Sequence, residues 1–308
     1  MGRMHADEHL IHTALVRRLL RGQFPRWADL PLERLASGGT VNAVYRLGDA
    51  LTIRLPLTAA GAGDVAKEHR VLAVLEGLPV AVPEVAAVGE PAEGYPWPWA
   101  VHRWLDGEPA VEGDPAPGLA EFVLALRATR ADGPPAYRGK PLATVDQATR
   151  GAIDELSRTD EPFDADAARA VWTEALEAPQ WTGPPCWLHS DLMPGNLLLR
   201  DGRLAGVLDW ATAGLGDPAC DLVPAWNLLP APARPVFRDA VGADDAAWAR
   251  GRGWALSMAV LQLPYYRHTN PVISANARYV LGQLSCRPAP PSATPPRASS
   301  RRAPNTPR

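Results

Sequence analysis

Lysine is almost absent from this chain: Lys67 and Lys140 are the only two among 31 basic residues. Where the chemistry needs a cation, arginine will usually have to supply it. Cysteine is scarce too. Cys186, Cys220 and Cys286 are odd in number, widely spaced and without a CxxC pair, which argues against a disulfide framework and a structural zinc site. The expectation is reduced thiols, with the two inner ones in the core. No run of about 18 apolar residues occurs, which excludes a membrane-spanning helix. The opening "MGRMHADEHLIHTALVRRLL" has charges and histidines where a signal peptide needs an unbroken apolar stretch. A cytoplasmic protein with no membrane partner is expected. No GxxxxGK[ST] occurs, which removes a P-loop, and no internal repeat is visible.

Acid is missing from the last 22 residues, "RPAPPSATPPRASSRRAPNTPR", which hold five arginines. Without them, 26 basic residues face 34 acidic ones, so the net charge of −3 becomes −8 for the body of the chain. An acidic body does not suit nucleic acid, whose binding rests on neutralising phosphates. It suits a cationic small molecule better. The Pro-, Ser- and Arg-rich stretch 287–308 has no apolar periodicity to offset the entropy of ordering and is expected to be disordered. What remains, 46% hydrophobic and 21% charged over the chain, is ordinary globular composition, long for one compact unit and comfortable for two lobes sharing a cleft.

The periodicities divide the chain. "HLIHTALVRRLLR" has helical spacing. "PLERLASGGTVNAVYRLGDALTIRLP" reads as three short strands, with alternation in "NAVYRL" and "LTIRLP" about Gly48-Asp49 as a hairpin signal. "GDVAKEHRVLAVLEGL" is a helix with Asp64 as its expected N-cap, and "EVAAVG" and "WPWAVHRWL" are strands. From about residue 115, "APGLAEFVLALRATR", "DADAARAVWTEALEA", "DDAAWARGRGWALSMAVLQL" and "SANARYVLGQLS" all read as helices. This gives an α+β chain: a small antiparallel-sheet lobe over 1–105, a helical lobe over 106–286, and the tail 287–308.

One segment of the helical half is different. "WLHSDLMPGNLLL" (187–199) places His189, Asp191 and Asn196 between apolar runs, and "NLLLRDGRLAGVLDW" is two strands about Asp201-Gly202, a strong hairpin signal. Asn196 then lies just before the outgoing strand and Asp209 just after the returning one. Pairing brings them roughly 5 Å apart. Two oxygen-bearing side chains at one hairpin end suit a hard cation held by few protein ligands plus substrate phosphates. The competing reading of Asp191 and Asn196 is a structural turn. His189 is expected to pack and hold the loop. Asp217 and Asp221 are expected to cap the next helix or brace the loop through backbone N–H groups.

His189-x-Asp191-x4-Asn196 followed by Asp209 resembles the catalytic core of protein-kinase-like folds. The unbroken "WLHSDLMPGNLLLRDGRLAGVLDWATAGLGDPACDL" is similar to the signature of the aminoglycoside phosphotransferase-like family of small-molecule kinases. "SGGTVNAVYRLG", "LTIRLP", "KEHRVLAVL" and "VHRWLDGE" resemble that family's N-lobe elements in order. The resemblance spans about residues 10–284 and implies a two-lobed protein-kinase-like fold. It implies transfer of the γ-phosphate of ATP, or GTP, to a hydroxyl of a small molecule such as an aminoglycoside or related antibiotic. Asp191 would be the catalytic base, Asn196 and Asp209 would hold Mg²⁺, and Arg54, paired to Glu68, would contact the phosphates. Gly38 and Gly39 would cover the phosphates, and adenine would lie near His102, Arg103 and Trp104.

The departures from protein kinases are informative. Arg54 replaces the usual lysine, a planar fork in place of a point charge. Ser190 stands where many protein kinases have the arginine that docks a phosphorylated activation loop. Only 11 residues separate Asp209 from Asp221, leaving no room for a long activation segment. The alternative from another class is a catalytically silent nucleotide-binding or scaffolding pseudokinase, which Arg54 alone supports. The acids of "DELSRTDEPFDADAAR" (154–169) read either as a pocket for a cationic sugar or as a solvated helix face.

Overall fold

The computed structural model describes residues 8–35, 41–110 and 113–285. Helix α1 (Thr13–Gln23) leads into strands β1 (Leu32–Arg34), β2 (Asn42–Leu47) and β3 (Leu51–Pro56), helix α2 (Ala59–Leu72), and strands β4 (Val85–Gly89) and β5 (Trp99–Arg103). The strands make one antiparallel sheet in the order β1-β2-β3-β5-β4. Alternation decides its two faces. Ala43, Tyr45, Leu47, Leu51, Ile53, Leu55 and Val101 are buried in one cluster with Leu15, Val16, Leu19 and Leu20 of α1. Each buried Leu, Ile or Val among them contributes about 1.5–3 kcal/mol. Val44, Arg54 and Ala100 stand in register on the other face. The sequence pattern therefore aims Arg54 away from the α1 core.

Helix α2 begins five residues before the expected cap. Thr58 is its N-cap, its hydroxyl accepting from Gly61 N at 3.4 Å, and Asp64 is an interior residue. The small residues of "AAGAG" continue the helix backwards, because a Cβ at Gly61 would stand only 2.7 Å from the Val41 side chain and glycine lets α2 start close to the sheet.

The rest of the chain forms β6 (Glu108–Pro109), α3 (Ala116–Ala128), α4 (Asp146–Leu156), α5 (Ala165–Glu177), β7 (Cys186–Leu188), β8 (Leu197–Arg200), β9 (Arg203–Val207), β10 (Gly214–Gly216), α6 (Pro224–Asn227), α7 (Arg234–Ala240), α8 (Asp245–Tyr266) and α9 (Pro271–Ser285). All four expected helices are present, within the α+β arrangement of a sheet lobe and a helical lobe. Helices α4 and α7, strand β6 and the β7–β10 ladder were not legible, being short or carried by Gly- and Pro-containing segments. The hairpin is as expected. Asp201 and Gly202 both have positive φ, +53° and +74°, and β8 pairs with β9 from Arg200↔Arg203 back to Leu197↔Val207.

Two connections join the lobes beside this hairpin. After β5, residues 104–107 lead to β6, which pairs with β8. Ala81, between α2 and β4, bonds β9 through Ala81 N to Ala205 O (2.9 Å) and Val207 N to Ala81 O (2.9 Å). Among the described residues no helix is long and apolar enough to cross a membrane. Cys220 is buried in the core as expected, whereas Cys186 at the strand edge is only partly covered; both are free thiols. Cys286 and the tail reading lie outside the described residues.

Candidate active site

The hairpin brings Asn196 and Asp209 to one end. Leu208 N donates to Asn196 O at 2.8 Å, closing the ladder one residue before Asp209. Asp209 itself is left-handed, with φ +64°, which turns the chain out of the strand. Asn196 donates Nδ2 to Asp191 O at 2.9 Å and reaches Asp191 Oδ2 at 3.3 Å. Asp191, Asn196 and Asp209 thus form one constellation.

The loop carrying Asp191 is braced from beneath. The buried Asp221 carboxylate accepts from His189 N and Ser190 N, each at 2.8 Å. Fully buried His189 bonds Leu208 O through Nε2 (2.9 Å), accepts from Asp191 N at Nδ1 (3.3 Å), and packs its ring edge-on against Trp210. His189 is therefore a fastener, as read from the sequence. Ser190 holds φ +63°, a conformation that costs a non-glycine residue about 1–3 kcal/mol, and donates Oγ to Thr212 O at 2.9 Å. Burial raises the Asp221 carboxyl above its ordinary value, opposed by His189 and the two backbone donors. Asp217 caps the next turn through Ala219 N (2.9 Å) and pairs with buried Arg250 at 2.7 Å.

Across the cleft, Arg54 Nη1 donates to Glu68 Oε1 and Oε2 at 2.8 and 3.0 Å, and its Nη2 faces Asp209 Oδ1 at 3.4 Å. Glu68 Oε1 also accepts from Trp210 N at 3.1 Å, so one carboxylate ties α2 to both β3 and the turn after Asp209. Burial alone would push Arg54 down, but Glu68 and Asp209 outweigh it and raise its pKa. Burial likewise opposes ionisation of Glu68, yet Arg54, His102 and Trp210 N–H hold its pKa low. Asp209 goes the other way. Enclosure raises its carboxyl and Arg54 only partly counters, because Glu68 and Asp191 add repulsion.

That imbalance suits a cation. With Nδ2 of Asn196 spent on Asp191, its Oδ1 and the Asp209 carboxylate are the groups here that could hold an ion. An amide oxygen and a carboxylate are the sparse, hard donor set that Mg²⁺ accepts while keeping waters and nucleotide phosphates. Among the described residues no group of three or more His, Cys, Asp or Glu could hold an ion, so any ion here depends on such a small set.

The remaining expected residues are placed unequally. His102 lies in β5 between β3 and β4, only 4% exposed, with Nε2 3.9 Å from Glu68 Oε2. Trp104 donates its backbone N–H to Ala50 O (2.8 Å) and carries the Arg46 guanidinium 4.1 Å over its ring. Gly38 and Gly39 lie outside the described residues. The acids of 154–169 fit the solvated-face reading: Asp154 and Asp166 pair with Arg169, and Glu161 with Arg278.

One site residue escaped the sequence reading. Arg138 Nη1 bonds Asp191 Oδ1 at 3.0 Å and Ser190 O at 3.1 Å; nothing local in "AYRGK" marks it, since the contact spans 53 residues. Asp64, taken for a cap, lies one turn before Glu68, and its carboxyl is raised by partial burial and by Asp209.

The family model described as the phosphotransferase enzyme family matches residues 33–254. The GDP complex of wild-type aminoglycoside 2'-phosphotransferase-IIIa is 19% identical, with 89% of this chain and 99% of that one covered at a TM-score of 0.66. A streptomycin–ATP–APH(2")-IIa ternary complex is 15% identical over 81% of this chain and 90% of that one, at 0.56. The macrolide 2'-phosphotransferase MphH from Brachybacterium faecium is 22% identical over 88% and 98%, at 0.54. At these identities the likeness establishes the fold. No curated protein sequence matches the chain.

Proposed function

The chain belongs to the phosphotransferase enzyme family, and from that membership we propose that it moves the γ-phosphoryl group of ATP or GTP onto a hydroxyl of a small molecule. The observation that carries the reading is the meeting of Asp191, Asn196 and Asp209 at the end of one hairpin, faced by Arg54 at 3.4 Å from Asp209. Asp191 takes the acceptor hydroxyl's proton as that oxygen bonds the γ-phosphorus. The bond from the γ-phosphorus to the bridging oxygen breaks, and its electron pair leaves with the nucleoside diphosphate. Mg²⁺ held by Asn196 and Asp209 would neutralise charge on the transferring phosphates. Arg54, kept cationic and aimed by Glu68, supplies the fixed positive charge on the other side of the phosphate path. Such positioning and neutralisation account for most of phosphoryl-transfer catalysis.

The nucleotide's base would lie at the connection after β5, near Trp104 and the buried His102. Two neighbours are complexes with GDP and ATP, which makes both nucleotides candidates. Aminoglycosides, polycations drawn to an acidic chain body, are the first acceptors to offer, and macrolides the second. Arg54 sits in a two-oxygen bond to Glu68, so its replacement of lysine gives no support to a silent reading.

Nucleoside diphosphate release is measured with Mg-ATP and Mg-GTP against aminoglycosides, macrolides, amino alcohols and sugars, for the wild type and Asp191→Asn. Turnover on one class that falls by 10³-fold or more in the variant is the expected result. Equal rates in the two proteins would overturn the assignment of Asp191.

A further inference from the structure

We propose that Arg138 is a positioning residue of this reaction: it fixes the Asp191 carboxylate so that one oxygen is tied down and the other is left to the acceptor hydroxyl. The inference rests on the phosphotransfer reading above and adds a residue to it. The loop 189–196, "HSDLMPGN", contains no lysine or arginine; the cation that touches it comes from a segment 53 residues away. One nitrogen, Arg138 Nη1, bridges Asp191 Oδ1 (3.0 Å) and Ser190 O (3.1 Å). It therefore locks the carboxylate to the loop's own backbone and restricts its rotation. Among the described residues Asp191 Oδ2 has only the long 3.3 Å contact to Asn196 Nδ2 and stays available for the acceptor's proton. A charge-assisted bond of this kind is short and directional, and Arg138 is four-fifths shielded in its side chain.

The segment that delivers Arg138 is built as a rigid strap. Residues 134–139 run beside β10, with Leu215 N to Pro134 O (2.8 Å), Ala136 N to Leu215 O (3.0 Å), Tyr137 N to Thr212 O (2.9 Å) and Asp217 N to Gly139 O (2.8 Å). The approach is so close that a Cβ at Gly214 would lie 2.4 Å from Pro134 O and 2.6 Å from Ala136 N. The strap leans on the same turn, 212–217, that follows Asp209 and buttresses Ser190. The guanidinium is thus referenced to both halves of the site. It acts through Asp191 and contacts no reacting atom in this arrangement.

The test uses the slow hydrolysis of Mg-nucleotide, with water as acceptor, so it does not wait on the acceptor's identity. Arg138→Ala is expected to lower kcat about a hundredfold, the scale of a misplaced reacting group, with nucleotide KM within threefold of wild type and an unchanged melting temperature. Arg138→Lys recovers part of the rate, and added guanidinium ion restores turnover to Arg138→Ala but not to Asp191→Asn. Unchanged kcat in Arg138→Ala, beside a dead Asp191→Asn, overturns this role and leaves the phosphotransfer reading standing. Loss of rate in Arg138→Ala with raised nucleotide KM and a lowered melting temperature, unrescued by guanidinium, also overturns it, in favour of a staple of the fold. Wild-type and Asp191→Asn rates that cannot be told apart remove the phosphotransfer reading, and this role falls with it.

Discussion

At the scale of the residue, His102 and Glu68 show how burial sorts charge around the cleft. Burial pulls the His102 imidazole down to about 4; Glu68 opposes the shift, and Arg54 and His69 add to it. The folded chain refuses a proton that the unfolded chain accepts below about 6.5. Stability from this site is therefore complete above that pH and is lost as pH falls toward 4, by about 3 kcal/mol over the window. Urea unfolding at pH 7, 6 and 5 should show the loss in the wild type and a shallower one in His102→Leu. Parallel profiles for the two proteins would disprove a neutral buried His102. Of the paired groups, Arg54 with Glu68 was expected from the resemblance to the small-molecule kinases, and the structure joins them at 2.8 Å. Arg138 with Asp191 was not expected, because no local period links residues 53 positions apart.

At the scale of the element, the hairpin and the strap divide the work. The β8–β9 hairpin sets the spacing of Asn196 and Asp209, and its signal is local: a two-residue turn that needs positive φ twice, filled by Asp and Gly. The strap has no such signal. "GPPAYRGK" reads as a loop, and it becomes an added edge to β10 only because Gly214 lets the backbones touch. Gly214→Ala must push Pro134 and Ala136 away. The expected result is a loss of about 1–3 kcal/mol in stability and a fall in kcat in the direction of the Arg138→Ala effect, with nucleotide binding retained. Thermal melts and nucleotide titrations check it; wild-type kcat in Gly214→Ala would mean that the strap does not set the position of Arg138.

At the scale of the whole molecule, the site is shared between the lobes: Arg54 and Glu68 come from the sheet side, Asp191, Asn196 and Asp209 from the helical side. On the phosphotransfer reading, a metal–nucleotide complex seated between them would bind only the folded chain. At about a hundred times Kd it contributes about 2.7 kcal/mol, a rise in melting temperature on the order of 5 °C. The rise should disappear with EDTA and in Asp209→Asn. An equal rise without divalent metal would remove Asn196 and Asp209 as metal ligands.

The amino-acid sequence by itself determined the two-part α+β architecture and the hairpin with its flanking Asn196 and Asp209, because each depends on periodicity or turn chemistry within a few residues. Only the tertiary structure decided that Thr58 caps α2 with Asp64 inside it, that Asp154, Glu161 and Asp166 are paired with arginines, and that Arg138 stands at Asp191. The pairs Glu161–Arg278 and Arg138–Asp191 join segments far apart in the chain, and the start of α2 follows its close approach to Val41. Such contacts are set by how closely two backbones can approach and by which charges the packed lobes leave facing one another.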